Sequence, residues 1–284
     1  GTAPCFIVED PRGIIFSLPG VPVELKWLFE HEVEPYLLRK FNLAEVIHYR
    51  VLKIVGIGES AVDDKIGHLI ANSSNPTVGV LAHPGQVDVR IAAKAANKGE
   101  AMKLIAPLEA EVRGLFGNAV FAADGETMEQ VVGKLLRAQN KTVAIYEDLT
   151  CGQLAERLQT ASAAHFAAGF ISNLQSSIYA LLSHGREPEG ADAVLEDPVA
   201  LTDELAWSVR KQAGSDLGLA LHAIADPNNA TQNLASGKTY ISLTDGKKFL
   251  QRSTTMAGRG QYDRIRMTLN AIDLLRTALL EGIG

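Results

Sequence analysis

Lys141–Leu158 reads KTVAIYEDLTCGQLAERL and joins a strand to a helix through a polar turn. Thr142–Ile145 has the apolar, β-branched character of a short buried strand. A polar turn follows, carrying Glu147, Asp148, Thr150 and Cys151. Gly152 then opens an amphipathic helix with Leu154, Ala155 and Leu158 on one face. A strand that runs through a polar turn into a helix N-terminus is where α/β proteins place chemistry. The N–H groups there lack intrahelical partners, and the helix dipole favours negative charge.

Outward from this turn, the chain alternates strands and helices. Downstream, Leu217–Ile224 and Thr239–Leu243 are apolar enough for central strands, and Gln261–Glu281 repeats apolar residues at helical spacing. Thr202 is predicted to cap a helix over 203–213, and a short helix is predicted near 176–182. Upstream, Thr127-Met128-Glu129-Gln130 has the form of a capping box. Residues 46–125 read as a compact α/β unit, with strands at 49–55, 77–82 and 87–93 and helices beginning near Ser60 and Ala101. In residues 1–45, GIIFS (13–17) reads as a strand, and Pro22 suits the first position of a helix. A strand and one or two helices cannot bury a core alone, so this segment is expected to dock on a neighbour or to end a domain. Alternating elements predict a mostly parallel sheet covered by helices.

Composition narrows the function classes. The 284 residues carry a net charge of −6, which argues against nucleic acid or an anionic membrane surface as the main partner. No apolar run approaches the roughly 20 residues of a membrane span, and no secretory leader is recognisable. Cys5 and Cys151 fall in different predicted domains, so a disulfide framework is not expected and a reducing cytoplasm is.

Three sets of residues resemble the CinA (competence/damage-inducible) family. Leu18-Pro19-Gly20-Val21-Pro22-Val23-Glu24 is similar to the LPGVPxE segment near the end of its molybdopterin-binding-like first domain. Gly56-Ile57-Gly58-Glu59-Ser60, Asn75-Pro76-Thr77-Val78-Gly79 and Ala82-His83-Pro84-Gly85 resemble its KH-like middle domain. The remainder resembles its C-terminal domain, whose active members are nicotinamide mononucleotide deamidases. The resemblance implies a remnant of the first domain at 1–45, a KH-like α/β domain at 46–125, and a three-layer α/β/α domain at 126–284. The phosphate- and metal-binding part of the first domain, associated with ADP-ribose pyrophosphate hydrolysis, would lie before Gly1.

The same resemblance implies a damaged site. The deamidase signature A-E-S-C-T-G-G aligns with Tyr146–Gly152, matching at Glu147, Thr150 and Gly152 but placing Asp148 at the nucleophilic serine. The activating lysine of a Y-S-N-E-A-K-like segment falls on Ile178, and no lysine occurs between Lys141 and Lys211. A serine hydroxyl needs a base to attack, and both partners are replaced. The family's G-I-A-G-P-G-G-G loop becomes Ala223–Ala230. Asp226 and Asn228 there put side chains and a negative charge where glycines would let backbone approach a phosphate.

The expectation is therefore a CinA-like protein silent as a deamidase, with a structural or ligand-binding role. Its implied partners are a nucleotide-like small molecule and a second copy of the chain, with no cofactor, metal, nucleic acid or membrane. The candidate substrate-binding residues are Glu147, Gly152, His222, Asp226 and Asn228. The alternative is an active amidohydrolase using Asp148, Cys151 and Thr150 in a rearranged site. In it, Cys151 would be the nucleophile, assisted by His165 or His222. Glu147, Asp148, Asp226 and His222 on a divalent metal form a further alternative, against solvated carboxylates of which one caps a helix. Arg259 and Arg264 fall near the family's G-D-R and I-R positions.

Overall fold

A computed structural model describes residues 3–43, 45–172, 175–183, 196–226 and 236–283. The chain divides into two compact units. One comprises Gly1–Tyr49, Ser74–Thr77 and Ala92–Pro107; the other comprises Arg50–Ser73, Val78–Ile91 and Leu108–Gly284.

The first unit begins with an antiparallel hairpin, β1 (Phe6–Asp10) and β2 (Gly13–Ser17). Pro22 opens α1 (Pro22–Leu28), and α2 (Glu34–Phe41) follows after one turn of π-helix. Tyr36 packs edge-on against Phe16 and, with Lys40, hydrogen-bonds Glu9. Neither helix buries a residue, and Val23, Trp27 and Phe6 are exposed. The segment thus has local order without a core of its own.

The KH-like region contains β3 (Val46–Val55), α3 (Glu59–Asn72), β4 (Thr77–His83), β5 (Gln86–Ala95), α4 (Lys98–Phe116) and β6 (Val120–Ala123). Its sheet has the order β4-β5-β3-β6. Alternate residues Leu52, Ile54, Val89 and Ile91 and helix residues Val62, Ile66 and Val112 are fully buried, as the two periodicities require.

The C-terminal region is built on a five-stranded sheet. Helix α5 (Met128–Gln139) starts with the predicted capping box: Gln130 N–H donates to Thr127 Oγ1 at 3.3 Å, and Thr127 N–H donates to Gln130 Oε1 at 3.0 Å. Then come β7 (Val143–Glu147), α6 (Gln153–Ser162), β8 (Phe166–Ile171), α7 (Gln175–Ser183), α8 (Pro198–Ala213), β9 (Leu217–Ala225), β10 (Ser236–Thr244), β11 (Phe249–Ala257) and α9 (Gln261–Glu281). The order is β11-β10-β9-β7-β8. β7 pairs in parallel with both β8 and β9, whereas β10 and β11 add in antiparallel sense. Val143, Ile145, Leu219 and Leu221 pack on α5, α6 and α9. Ala144, Tyr146 and Ala220 face the other way, onto α7 and α8. All five residues of β7 are buried and it is paired on both sides, so it is an interior strand of a three-layer α/β/α arrangement, as the α/β reading predicted.

One local expectation is corrected. Helix α8 starts four residues earlier than Thr202: Asp197 is its cap, accepting from Val199 N–H at 2.9 Å, with Pro198 in the first position. Thr202 lies inside, its hydroxyl donating to Pro198 O at 2.6 Å. A strand that the sequence reading did not name, β8, follows α6 and is ordered by parallel pairing with β7. Among the described residues, no helix is long and apolar enough to cross a membrane.

Candidate functional site

The turn from β7 to α6 positions every residue singled out around Asp148. Glu147, the last residue of β7, has no exposed surface. Its carboxylate accepts from Leu154 N–H at 3.1 Å, Ala155 N–H at 2.8 Å and the Thr150 hydroxyl. Gly152 is the N-cap position of α6 and has no side chain to offer, so Glu147 performs the capping, reaching Leu154 N–H seven residues on. This places negative charge at the positive end of the helix. The turn closes through Cys151 and Gly152, both left-handed, with φ of 55° and 94°. A glycine is suited to that geometry; a cysteine adopts it at some strain.

Asp148 points elsewhere. It is 6 % exposed, and its Oδ2 lies 2.7 Å from Nδ1 of His222 on β9. Oδ1 accepts from Leu149 N–H at 2.5 Å, and both oxygens lie 3.2 Å from Ala223 N. An ionised carboxylate only accepts, so His222 donates from Nδ1 and presents Nε2 as its basic nitrogen. Tyr146, beneath the turn, donates from its hydroxyl to Ser172 O at 2.5 Å. Burial first, and the nearby Asp148 charge second, push its phenol far above the ordinary tyrosine range.

The structure brings together Asp148 and His222, and separately Glu147, Thr150 and Gly152. It does not bring Cys151 to a base. Cys151 is exposed, and its Sγ is 3.5 Å from Leu149 O. His165 lies at the other end of β7, with Nδ1 3.0 Å from Lys141 O. Asp226 directly follows β9, its N–H donating to Ser236 O at 2.7 Å. Asn228 lies outside the described residues. Ile178, on α7, is buried in the apolar cluster with Tyr146.

The four-residue metal alternative is not assembled, because Glu147 is committed to α6 while Asp148 is committed to β9. Among the described residues, no group of three or more His, Cys, Asp or Glu could hold a metal ion. Sequence reasoning set His222 either beside Cys151 or with Asp148 on a metal, and the direct Asp148–His222 hydrogen bond is neither. Only the parallel registry of β7 with β9 reveals it, with Glu147 opposite Leu221.

Chemically, a buried carboxylate that orients an imidazole is a device for proton transfer when a nucleophile or water stands at the far nitrogen. Here the carboxylate itself is saturated with donors.

Residues 49–122 match the family model described as the damage-inducible protein CinA KH domain, and residues 125–279 match the CinA C-terminal domain. The chain belongs to the CinA family. This CinA protein is 36% identical over 283 residues to a competence-damage inducible protein of Thermoanaerobacter pseudethanolicus, covering 99% of the present chain and 67% of the relative. It is 33% identical over 282 residues to a CinA-like protein of Kosmotoga olearia, covering 99% and 68%. Among solved structures, a CinA superfamily protein from Klebsiella pneumoniae aligns with 55% of this chain and 99% of its own, at 17% identity and a TM-score of 0.45.

Proposed function

We propose that this CinA protein is silent as a nicotinamide mononucleotide deamidase, its C-terminal domain acting as a structural or ligand-binding module. The observation that carries this reading is the state of Asp148. At the position where the family signature has its serine, the side chain is a carboxylate whose two oxygens are engaged by His222, Ala223 N–H and Leu149 N–H. Attack on an amide would require stripping those donors from a nearly buried anion, which costs several kcal/mol, on the order of 1–3 for each group left unpaired. Ile178, aligned with the activating lysine, is buried among apolar side chains and supplies no base.

The reading extends to a cytoplasmic homodimer whose ligand is a nucleotide-like small molecule, with residues 1–45 as the end of a first domain. The dimer is tested by sedimentation; a monomer at all concentrations contradicts it.

One observation favours a second reading. The 2.7 Å contact between Asp148 and His222 gives an imidazole oriented by a carboxylate, the kind of base a rearranged amidohydrolase would need. Incubation with nicotinamide mononucleotide separates the two. The silent reading expects neither ammonia nor nicotinic acid mononucleotide above the blank. Turnover abolished by Asp148→Ala or Cys151→Ala establishes the second.

A further inference from the structure

The Gly56–Glu59 and Ala82–Gly85 motifs are unused by the site above, yet they converge on one cavity. Its volume is about 350 Å³, and its opposite wall is a stripe of α9 formed by Tyr262, Arg266 and Asn270. That is the size range of organic-ligand pockets, larger than an inorganic ion requires.

Two independent features give the cavity its chemistry. Helix α3 begins at its edge, and the N-cap, Gly58, provides no side chain, so the first N–H groups of the helix lack a capping partner. Opposite, Asn270 is only 8 % exposed and lines the cavity, and its side-chain amide has no hydrogen-bond partner among the described residues. Buried amides are normally satisfied, and one left open into a cavity is suited to an incoming polar group. Arg266 adds a cation. Its Nη2 is used by Thr255 O and by Asp263 at 3.2 Å, and no bond from its Nε or Nη1 is recorded among the described residues. Tyr262 contributes an aromatic wall beside Arg266. Glu59, also in the lining, is a carboxylate that opposes an anion there.

We propose that this cavity binds a small phosphate monoester of nucleotide size. The phosphate sits between the α3 N-terminus and Arg266, the amide of Asn270 hydrogen-bonds the ligand, and the organic part lies along Tyr262. This site is separate from the Asp148 turn and does not depend on whether that turn is silent.

Calorimetric titration of the whole chain with adenosine 5′-monophosphate, ribose 5-phosphate and adenosine tests it. Saturable binding of both phosphate esters, without binding of adenosine, is expected. Arg266→Gln and Asn270→Asp should each weaken binding at least tenfold. Glu59→Gln, a change at an exposed position, should tighten it several-fold because it removes a repulsive charge. Absence of saturable binding by either ester overturns the proposal, as does binding that is indifferent to Glu59→Gln. An affinity that falls with Asp148→Asn while Arg266→Gln leaves it unchanged puts the ligand at the other site, and equally overturns it.

Discussion

His222 Nδ1 stands 2.7 Å from Asp148 Oδ2, joining two residues 74 positions apart across the parallel edge between β7 and β9. Both are nearly buried, so the pair is a structural clasp as well as a chemical one. Asp148→Ala should leave the imidazole and the Ala223 N–H without their acceptor. The expected loss is about 1–3 kcal/mol in urea unfolding. Asp148→Asn, which keeps one acceptor oxygen, should lose less. An alanine variant as stable as the parent would remove the clasp from the account.

On the proposed reading, a serine placed at position 148 by itself should not confer deamidation. Asp148→Ser puts a hydroxyl at the top of β7, but Ile178 remains buried where the activating lysine aligns, and a serine without a base is inert. No ammonia release from nicotinamide mononucleotide is expected; turnover by this single variant would refute the argument.

Glu147 has a different job, so its replacement should have a different signature. Glu147→Gln retains the shape but removes the anion that accepts from Leu154 N–H, Ala155 N–H and the Thr150 hydroxyl. Charge-assisted bonds of this kind contribute about 1.5–3 kcal/mol, and a melting-temperature drop of several degrees is expected. The drop should occur with or without ligand, because the carboxylate serves the helix.

At Gly218, β9 runs close beneath α8. A Cβ there would lie 2.0 Å from Ala206 O and 2.6 Å from Arg210 Cβ, and the first of these is backbone that cannot swing aside. Gly218→Ala should cost about 1–3 kcal/mol or more, through forced displacement of α8. An unfolding midpoint equal to the parent's would show that the helix slides freely.

Asp216 provides a pH-dependent contribution. Hydrogen bonds from the Thr142 N–H and then the Thr142 hydroxyl lower its pKa below the usual aspartate range. A carboxylate with a lowered folded-state pKa stabilises the fold fully above its unfolded value of about 3.9, and that contribution is lost as pH falls through the folded value. The group is exposed, so the effect is small. Asp216→Asn should therefore lower stability at neutral pH, with the gap to the parent closing below about pH 4. A gap that widens in acid would have the wrong sign.

Features governed by neighbouring residues were legible without coordinates. The capping box at Thr127 and Gln130, Pro22 opening α1, the buried run in β7 and Gly152 at the head of α6 all follow from local backbone sterics and side-chain reach. The start of α8 was misjudged even locally, because Thr202 and Asp197 both have cap chemistry and the Asp-Pro pair at 197–198 prevailed. Sheet direction was legible only around β7. The antiparallel addition of β10 and β11 depends on pairing partners, which local pattern does not specify.

From its residues alone, this protein's family and its α/β class could be read, because each is written in contiguous motifs. Which carboxylate caps the helix and which grips His222 was decided by tertiary structure. Glu147 and Asp148 are sequence neighbours with the same charge, and successive residues at the end of a strand face opposite sides of the sheet. That alternation sends one to α6 and the other to β9.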